Sequence, residues 1–207
     1  MAGDDATAYL PERRSLKALR EAVDDCRGCD LYRDATQAVF GEGPAKARLM
    51  LVGEQPGDRE DVEGAPFVGP AGGVLDRALA EAGIDRGLVY VTNTVKHFHY
   101  QARGKRRIHQ RPEAAHIAAC RPWLEAELAV VRPRVLVCLG AVAAQALVGR
   151  HVRVTKDRGQ PVDSSLAPYV TVTVHPSSIL RAPDEKSRRE GYEAFVRDLA
   201  GVARVLG

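Results

Sequence analysis

Apolar residues in this chain fall into four short continuous runs, separated by stretches in which they recur every three or four positions. The runs occupy 47–52 (Ala-Arg-Leu-Met-Leu-Val), 88–92 (Leu-Val-Tyr-Val-Thr), 134–138 (Arg-Val-Leu-Val-Cys) and 169–174 (Tyr-Val-Thr-Val-Thr-Val). Each is too short for a helix and rich in β-branched residues, the pattern of a strand buried on both faces. Helical spacing is predicted over 15–23 behind Ser15 as N-cap, over 71–82 up to Gly83, over 113–131, over 141–148 and over 187–205. Pro122 should interrupt the third of these, with the helix restarting there at a first-turn position. The stretch before Pro70, rich in glycine, proline and acid, reads as a loop. Strands that alternate with helices predict a three-layer α/β/α fold around a central, mostly parallel four-stranded sheet. A length of 207 residues suits one domain, 1–207.

That architecture turns the strand ends into a site list, because open parallel sheets bind ligands outside the carboxyl ends of their strands. The first strand ends in Gly53-Glu54-Gln55, the second in Asn93, the third runs into Gly140 and the fourth into His175. A carboxylate, two amides and an imidazole should therefore converge on one edge.

Composition sharpens this in one respect. The hydrophobic fraction of 45% fits a globular domain, and no apolar run approaches a membrane span. The start, Met-Ala-Gly-Asp-Asp, lacks the basic and apolar stretches of an export signal, so a cytoplasmic location is expected. The net charge of +3 says little, but its distribution says more. Between Thr94 and Pro112 lie Lys96, Arg103, Lys105, Arg106, Arg107 and Arg111, with no acid among them. A local cationic loop on a near-neutral chain is an electrostatic footprint for phosphates.

The cysteines point to a metal. Cys26 and Cys29 have ligand spacing and follow a helix, which does not match the strand-to-helix setting of a redox pair. Cys120, on the helix after the basic loop, can join them by folding, whereas Cys138 sits inside an apolar strand as a small core residue. Three thiolates leave a fourth ligand to be found. His116 is one turn before Cys120, and His97 follows the second strand; spacing alone allows either, and both zinc and an iron–sulfur cluster accept such a set.

Four further motifs appear in order: Gly-Glu-Gln-Pro-Gly at 53–57, Pro-Phe-Val-Gly-Pro-Ala-Gly at 66–72, Val-Thr-Asn-Thr-Val-Lys at 91–96 and His-Pro-Ser-Ser-Ile-Leu at 175–180. With the Cys26/Cys29 pair they resemble the iron–sulfur uracil-DNA glycosylases of family four, over nearly the whole chain from Cys26 onward. Two features depart from that family. A cysteine ligand usually follows the Val-Lys of the third motif; here His97 stands there, so the resemblance favours His97 over His116. The loop Gly104-Lys-Arg-Arg-Ile-His109 looks like the signature of the UdgX branch, in which the loop histidine becomes joined to DNA. Gln55 after Glu54 also suits that branch.

The resemblance implies a DNA repair glycosylase that excises uracil, with single-stranded DNA favoured, and a four-iron, four-sulfur cluster held by Cys26, Cys29, His97 and Cys120. A base inside a duplex must be flipped out to be reached. Phe67 is suited to stack on it, Asn93 to read its edge, with Gln55 beside them in the base pocket. His175 is placed to donate to the departing uracil, Glu54 to stabilise the sugar cation or take a proton, and His109 to attack the sugar. Lys105, Arg106 and Arg107 would hold phosphates, Ser177 and Ser178 the backbone, and Leu180 would wedge into the vacated gap. Two alternatives accompany this reading: an enzyme of normal turnover with water as nucleophile, and a non-catalytic metal-stabilised DNA-binding module. A monomer is expected.

Overall fold

The computed structural model describes residues 5–207, so 1–4, most of the start read above, lie outside the described residues. The chain runs α1 (Leu16–Val23), β1 (Leu49–Gly53), α2 (Asp58–Glu63), α3 (Pro70–Glu81), β2 (Val89–Asn93), β3 (Tyr100–Arg103), β4 (Arg106–His109), α4 (Ala114–Val131), β5 (Val135–Leu139), α5 (Ala141–Leu147), α6 (Val154–Asp157), β6 (Tyr169–Thr173), α7 (Pro176–Leu180) and α8 (Glu185–Leu206). Four strands form one sheet in the order β2-β1-β5-β6, and every pairing is parallel. The expected three-layer α/β/α architecture is thus present.

Alternation along each strand sorts the core into two halves. Leu49, Leu51, Val89, Val91, Val135 and Val137 face α3 and α8, where Leu75, Leu79, Phe195 and Leu199 meet them. Met50, Val52, Tyr90, Leu136, Cys138 and Val172 face the opposite way, onto Leu124 and Leu128 of α4 and Ala143 and Ala144 of α5. From β1 the chain steps to β2 on one side through α3, then to β5 on the other through α4. The two connections cover opposite faces, which opens a crevice at the carboxyl end of β1. A third cluster packs α1 against α4 around Leu19, Val23, Trp123, Cys26 and Cys120.

Three local expectations change. The basic loop is a two-stranded antiparallel hairpin, β3–β4, with Gly104 at φ 58 in its two-residue turn. The acidic stretch after Gly57 contains the short helix α2. Pro122 lies inside α4, which continues through it, because buried packing of Trp123, Leu124 and Leu128 outweighs one missing N–H. No helix among the described residues is long and apolar enough to cross a membrane.

Candidate functional site: a base-sized pocket beneath an exposed histidine

The carboxyl ends of the strands do meet. At the crevice lies a cavity of about 160 Å³, lined by Gln55, Gly57, Phe67, Asn93, His109 and His175 among others. That is well below the 300–1,000 Å³ typical of drug-sized ligands and suits a single ring. Its floor is Gly53. A Cβ there would overlap Asn93 Oδ1 and stand 2.8 Å from Phe67 Cζ and 3.4 Å from His175 Nε2, so only glycine keeps the floor open.

Phe67 is held in an unusual way. Its φ is 58, a left-handed conformation costly for an aromatic residue. Gly72 in the first turn of α3 packs directly on the Phe67 carbonyl, where any Cβ would collide. The buried Glu60 accepts from Gly57 N–H at 3.1 Å and from Gly69 N–H at 2.8 Å, tying together the two loops that flank the pocket. Phe67 lies near-parallel to the His175 ring, with centroids 6.1 Å apart and planes at 27°. Asn93 is buried, and its Oδ1 has no hydrogen-bond partner. A buried acceptor without a donor is costly, and its position at the pocket floor invites an N–H from a bound base.

The protonation of His175 follows from its neighbours. Ser177 N–H donates to Nδ1 at 3.2 Å, and Ser177 Oγ lies 2.8 Å from the same atom. Nδ1 is therefore an acceptor, which places the ring proton of the neutral imidazole on Nε2. Burial, reinforced by the nearby Arg181 and His109, lowers its pKa to about 4, so the ring is neutral at physiological pH. Nε2–H can then donate into the pocket. Ser178 Oγ donates to the His175 carbonyl at 2.7 Å. Both serines thus brace His175. Of the two residues that follow, Ile179 is buried in the core, whereas Leu180 is 40% exposed on α7.

His109 ends β4 and hangs over the pocket with about half its side chain exposed. Its Nε2 is 3.8 Å from Glu54 Oε1 and 3.0 Å from Gln55 Nε2. An amide nitrogen only donates, and the two protons of Gln55 are shared among His109 Nε2 and two backbone carbonyls, so this contact is at most a shared bond to an Nε2 lone pair. Gln55 also donates to the His99 and Gln110 carbonyls, at 3.1 and 2.9 Å, and accepts from His99 N–H at 3.2 Å. One buried amide thereby fixes both ends of the hairpin. Desolvation, with Arg181 and His99, lowers the His109 pKa below its ordinary value, while burial raises that of Glu54 against the pull of Arg111 and Arg181.

The cations divide into two sets. Arg107 bonds Asp58 at 2.6 Å and Asp61 at 2.5 Å, and stacks over Phe98 and Tyr100. It anchors the hairpin to α2, whereas Lys105 and Arg106 stay exposed near the tip. Two residues that sequence reasoning left out of the site, Arg111 and Arg181, line a larger cavity of about 570 Å³ with Glu54, Gly140, His109 and His175. The only signal for Arg181 was its place directly after the last motif.

Cys26, Cys29 and Cys120 gather in one apolar cluster beside Trp123, whose Nε1–H donates to Cys26 Sγ at 3.2 Å. The Lys96 N–H donates to Cys120 Sγ at 3.2 Å, and His97, the next residue, is buried. His116 is engaged at both nitrogens, by Glu113 N–H at 3.1 Å and Asp30 at 3.0 Å. Among the described residues no three His, Cys, Asp or Glu side chains converge as a single metal ion would require. Cys138 lies in the sheet core, as expected.

Residues 40–200 match the family described as the uracil DNA glycosylase superfamily. The chain belongs to that superfamily. It is similar to proteins named type-4 uracil-DNA glycosylase. That of Thermotoga maritima is 39% identical over 175 residues, 84% of this chain and 88% of the relative. Those of Pyrobaculum aerophilum and Sulfurisphaera tokodaii are 35% and 34% identical, covering 89% and 90% of this chain and 91% and 85% of theirs. The resemblance in the sequence motifs therefore extends over most of this glycosylase-family chain.

Proposed function

We propose that this protein excises uracil from DNA and that His109 then captures the sugar. The observation that carries the reading is one juxtaposition: the His109 imidazole stands beside Glu54, its Nε2 3.8 Å from the carboxylate, at the mouth of a base-sized pocket. In the proposed reaction the flipped uracil stacks on Phe67 and gives its ring N–H to Asn93 Oδ1. Cytosine has no proton at that position and is refused. The glycosidic bond breaks with its electron pair leaving on uracil, and His175 Nε2–H stabilises the resulting anion. Positive charge on the sugar is stabilised by Glu54. The His109 Nε2 lone pair then bonds to the sugar carbon, and the imidazolium loses its Nδ1 proton to solvent. No good leaving group remains, so the protein reacts once.

Lys105, Arg106, Arg111 and Arg181 would face phosphates. Leu180 is exposed on α7 and would wedge into the gap left by the flipped base, and single-stranded DNA is favoured because no base pair has to be opened. Exposed large hydrophobics are scattered singly, which supports a monomer. The three thiols and His97 form a soft donor set from separate chain segments. A cluster spreads its ligands over several irons, which fits residues that do not converge on one point; we assign it to Cys26, Cys29, His97 and Cys120. When bound it would supply a covalent tie between the α1 segment and α4, and the chemistry described above does not pass through it.

The test mixes the protein with uracil-containing single-stranded or duplex DNA, followed by boiling in detergent and a denaturing gel. A DNA–protein band that survives, and vanishes in His109→Ser, is expected. Free DNA cleavable by alkali would refute capture and support water as nucleophile. DNA binding with no base release would refute the glycosylase reading itself.

A further inference from the structure

Directly behind the base pocket lies an ion pair with no exposure to solvent. Lys96 and Glu127 are both fully buried, and their side chains bond to each other. The ammonium also donates to Thr92 Oγ1 at 2.7 Å and to the Asn93 carbonyl at 2.8 Å. All three of its protons are thereby used. Glu127 Oε1 accepts from Tyr90 OH and Thr92 Oγ1, both at 2.8 Å, and from Gly41 N–H at 3.2 Å. Apart from Asn93, none of these residues lines the cavity.

Such pairs rarely add stability. Removing two charges from water costs several kcal/mol per ion, and well-packed apolar replacements are often neutral or stabilising. Its placement suggests another use. Cys120 and Glu127 are seven residues apart on α4, two turns along one buried face. Cys120 accepts from the Lys96 backbone while Glu127 holds the Lys96 side chain, so α4 grips this residue at both ends. Between the two grips Lys96 closes a turn onto Asn93. The same turn bonds the loop opposite: Thr94 N–H and Oγ1 both donate to the Gly53 carbonyl, at 3.0 and 2.8 Å, and Val95 N–H donates to the Glu54 carbonyl at 3.0 Å.

We propose that Lys96, held by Glu127, is the positioning residue for Asn93: it fixes the end of β2 so that the unpartnered Oδ1 faces the base, and so sets capture of uracil without touching it. The amide makes no other side-chain hydrogen bond among the described residues, so the main chain alone aims it. This inference rests on the uracil-pocket reading above.

The test uses the full chain with the paired substitution Lys96→Met/Glu127→Leu, which removes both charges. A second variant, Lys96→Met/Glu127→Gln, keeps a carbonyl for Tyr90 and Thr92 and removes the ammonium with its bonds to Asn93, Thr92 and residue 127. Inhibition by free uracil and binding to abasic-site DNA, which lacks the base, are measured side by side. Loss of a charged hydrogen bond should weaken uracil inhibition about tenfold or more, with abasic-site binding within about twofold of the parent. Parental uracil inhibition in both variants would overturn the proposal, as would equal loss of both readouts or failure of both variants to fold, since the pair would then be structural only. If the parent itself neither releases nor is inhibited by uracil, it is the uracil reading that fails.

Discussion

Gly53→Ala isolates the base pocket from the fold. In the free protein the new methyl group would overlap Asn93 Oδ1 and sit 2.8 Å from Phe67 Cζ, against an optimal carbon–carbon separation of about 3.5–4.0 Å. The backbone of Gly53 is paired with Asn93 on β2 and its carbonyl accepts twice from Thr94, so the strand cannot move away. Relief comes from the Asn93 amide rotating, and the edge of the Phe67 ring tilting, into the cavity. Stability should therefore change by less than about 1 kcal/mol, well under the usual cost of overpacking a filled core. The cost reappears when uracil arrives. A two-point contact to a base edge is worth about 1–3 kcal/mol, and crowding in the now filled pocket adds about 1–3 more. At about 1.4 kcal/mol per factor of ten, uracil capture should fall between about 30-fold and about 20,000-fold. Single-turnover excision from a uracil oligonucleotide measures it, with thermal unfolding as the control. Excision at the parental rate would refute the placement of the base on Gly53, and equal loss of stability and activity would refute the argument that the strain is deferred.

Three other outcomes follow from the same geometry. The folded His175 ring takes a proton only below about pH 4 while the unfolded ring does so below 6.5, so the unfolded state binds more protons in between. Stability should fall as pH drops through that window, by at most about 3 kcal/mol, and urea titrations at several pH values should show a shallower slope in His175→Gln. Lys96→Ala leaves Glu127 charged and buried without its partner, and should cost about 3–5 kcal/mol in the same assay. Arg107→Ala frees the hairpin from Asp58 and Asp61. Cross-linked product on the denaturing gel should fall by up to about a hundredfold, as misplaced reacting groups do, with inhibition by free uracil far less affected.

The sheet was readable because its strands are buried on both faces: Leu49–Gly53 and Val135–Leu139 leave no polar position to confuse the period. With the strands in place, the rule for parallel sheets delivered Glu54, Gln55, Asn93 and His175, and the structure brings all four to one edge. What escaped was tertiary. The hairpin is mostly exposed and charged, so its alternation reads as a basic run, although Gly104-Lys105 is the length of a hairpin turn. Arg107 looks like its neighbours until it meets carboxylates 49 and 46 residues away. His116 likewise meets Asp30, 86 residues from the ring it engages. Sequence spacing carries local geometry, and none of these partners is local.

The hairpin also bears on which nucleophile reaches the sugar first. An imidazole competes with water, which is everywhere in an open cavity, so it must owe its advantage to orientation. His109 is oriented three times over. Gln55 bonds the hairpin backbone on both sides of it, Arg107 ties the adjoining strand to α2, and Phe98 lies beneath the ring with centroids 6.0 Å apart. Each tie is made during folding and survives without DNA, so little freedom is left to lose at the moment of reaction. Under the proposed reaction Glu54 would serve either nucleophile, stabilising the same positive sugar in both cases. In the proposed reaction capture and hydrolysis differ mainly in how firmly the histidine is held, by Gln55 at the pocket wall and by Arg107 outside it. The proposed single-turnover behaviour is thus a property of the scaffold around His109 as much as of the imidazole itself.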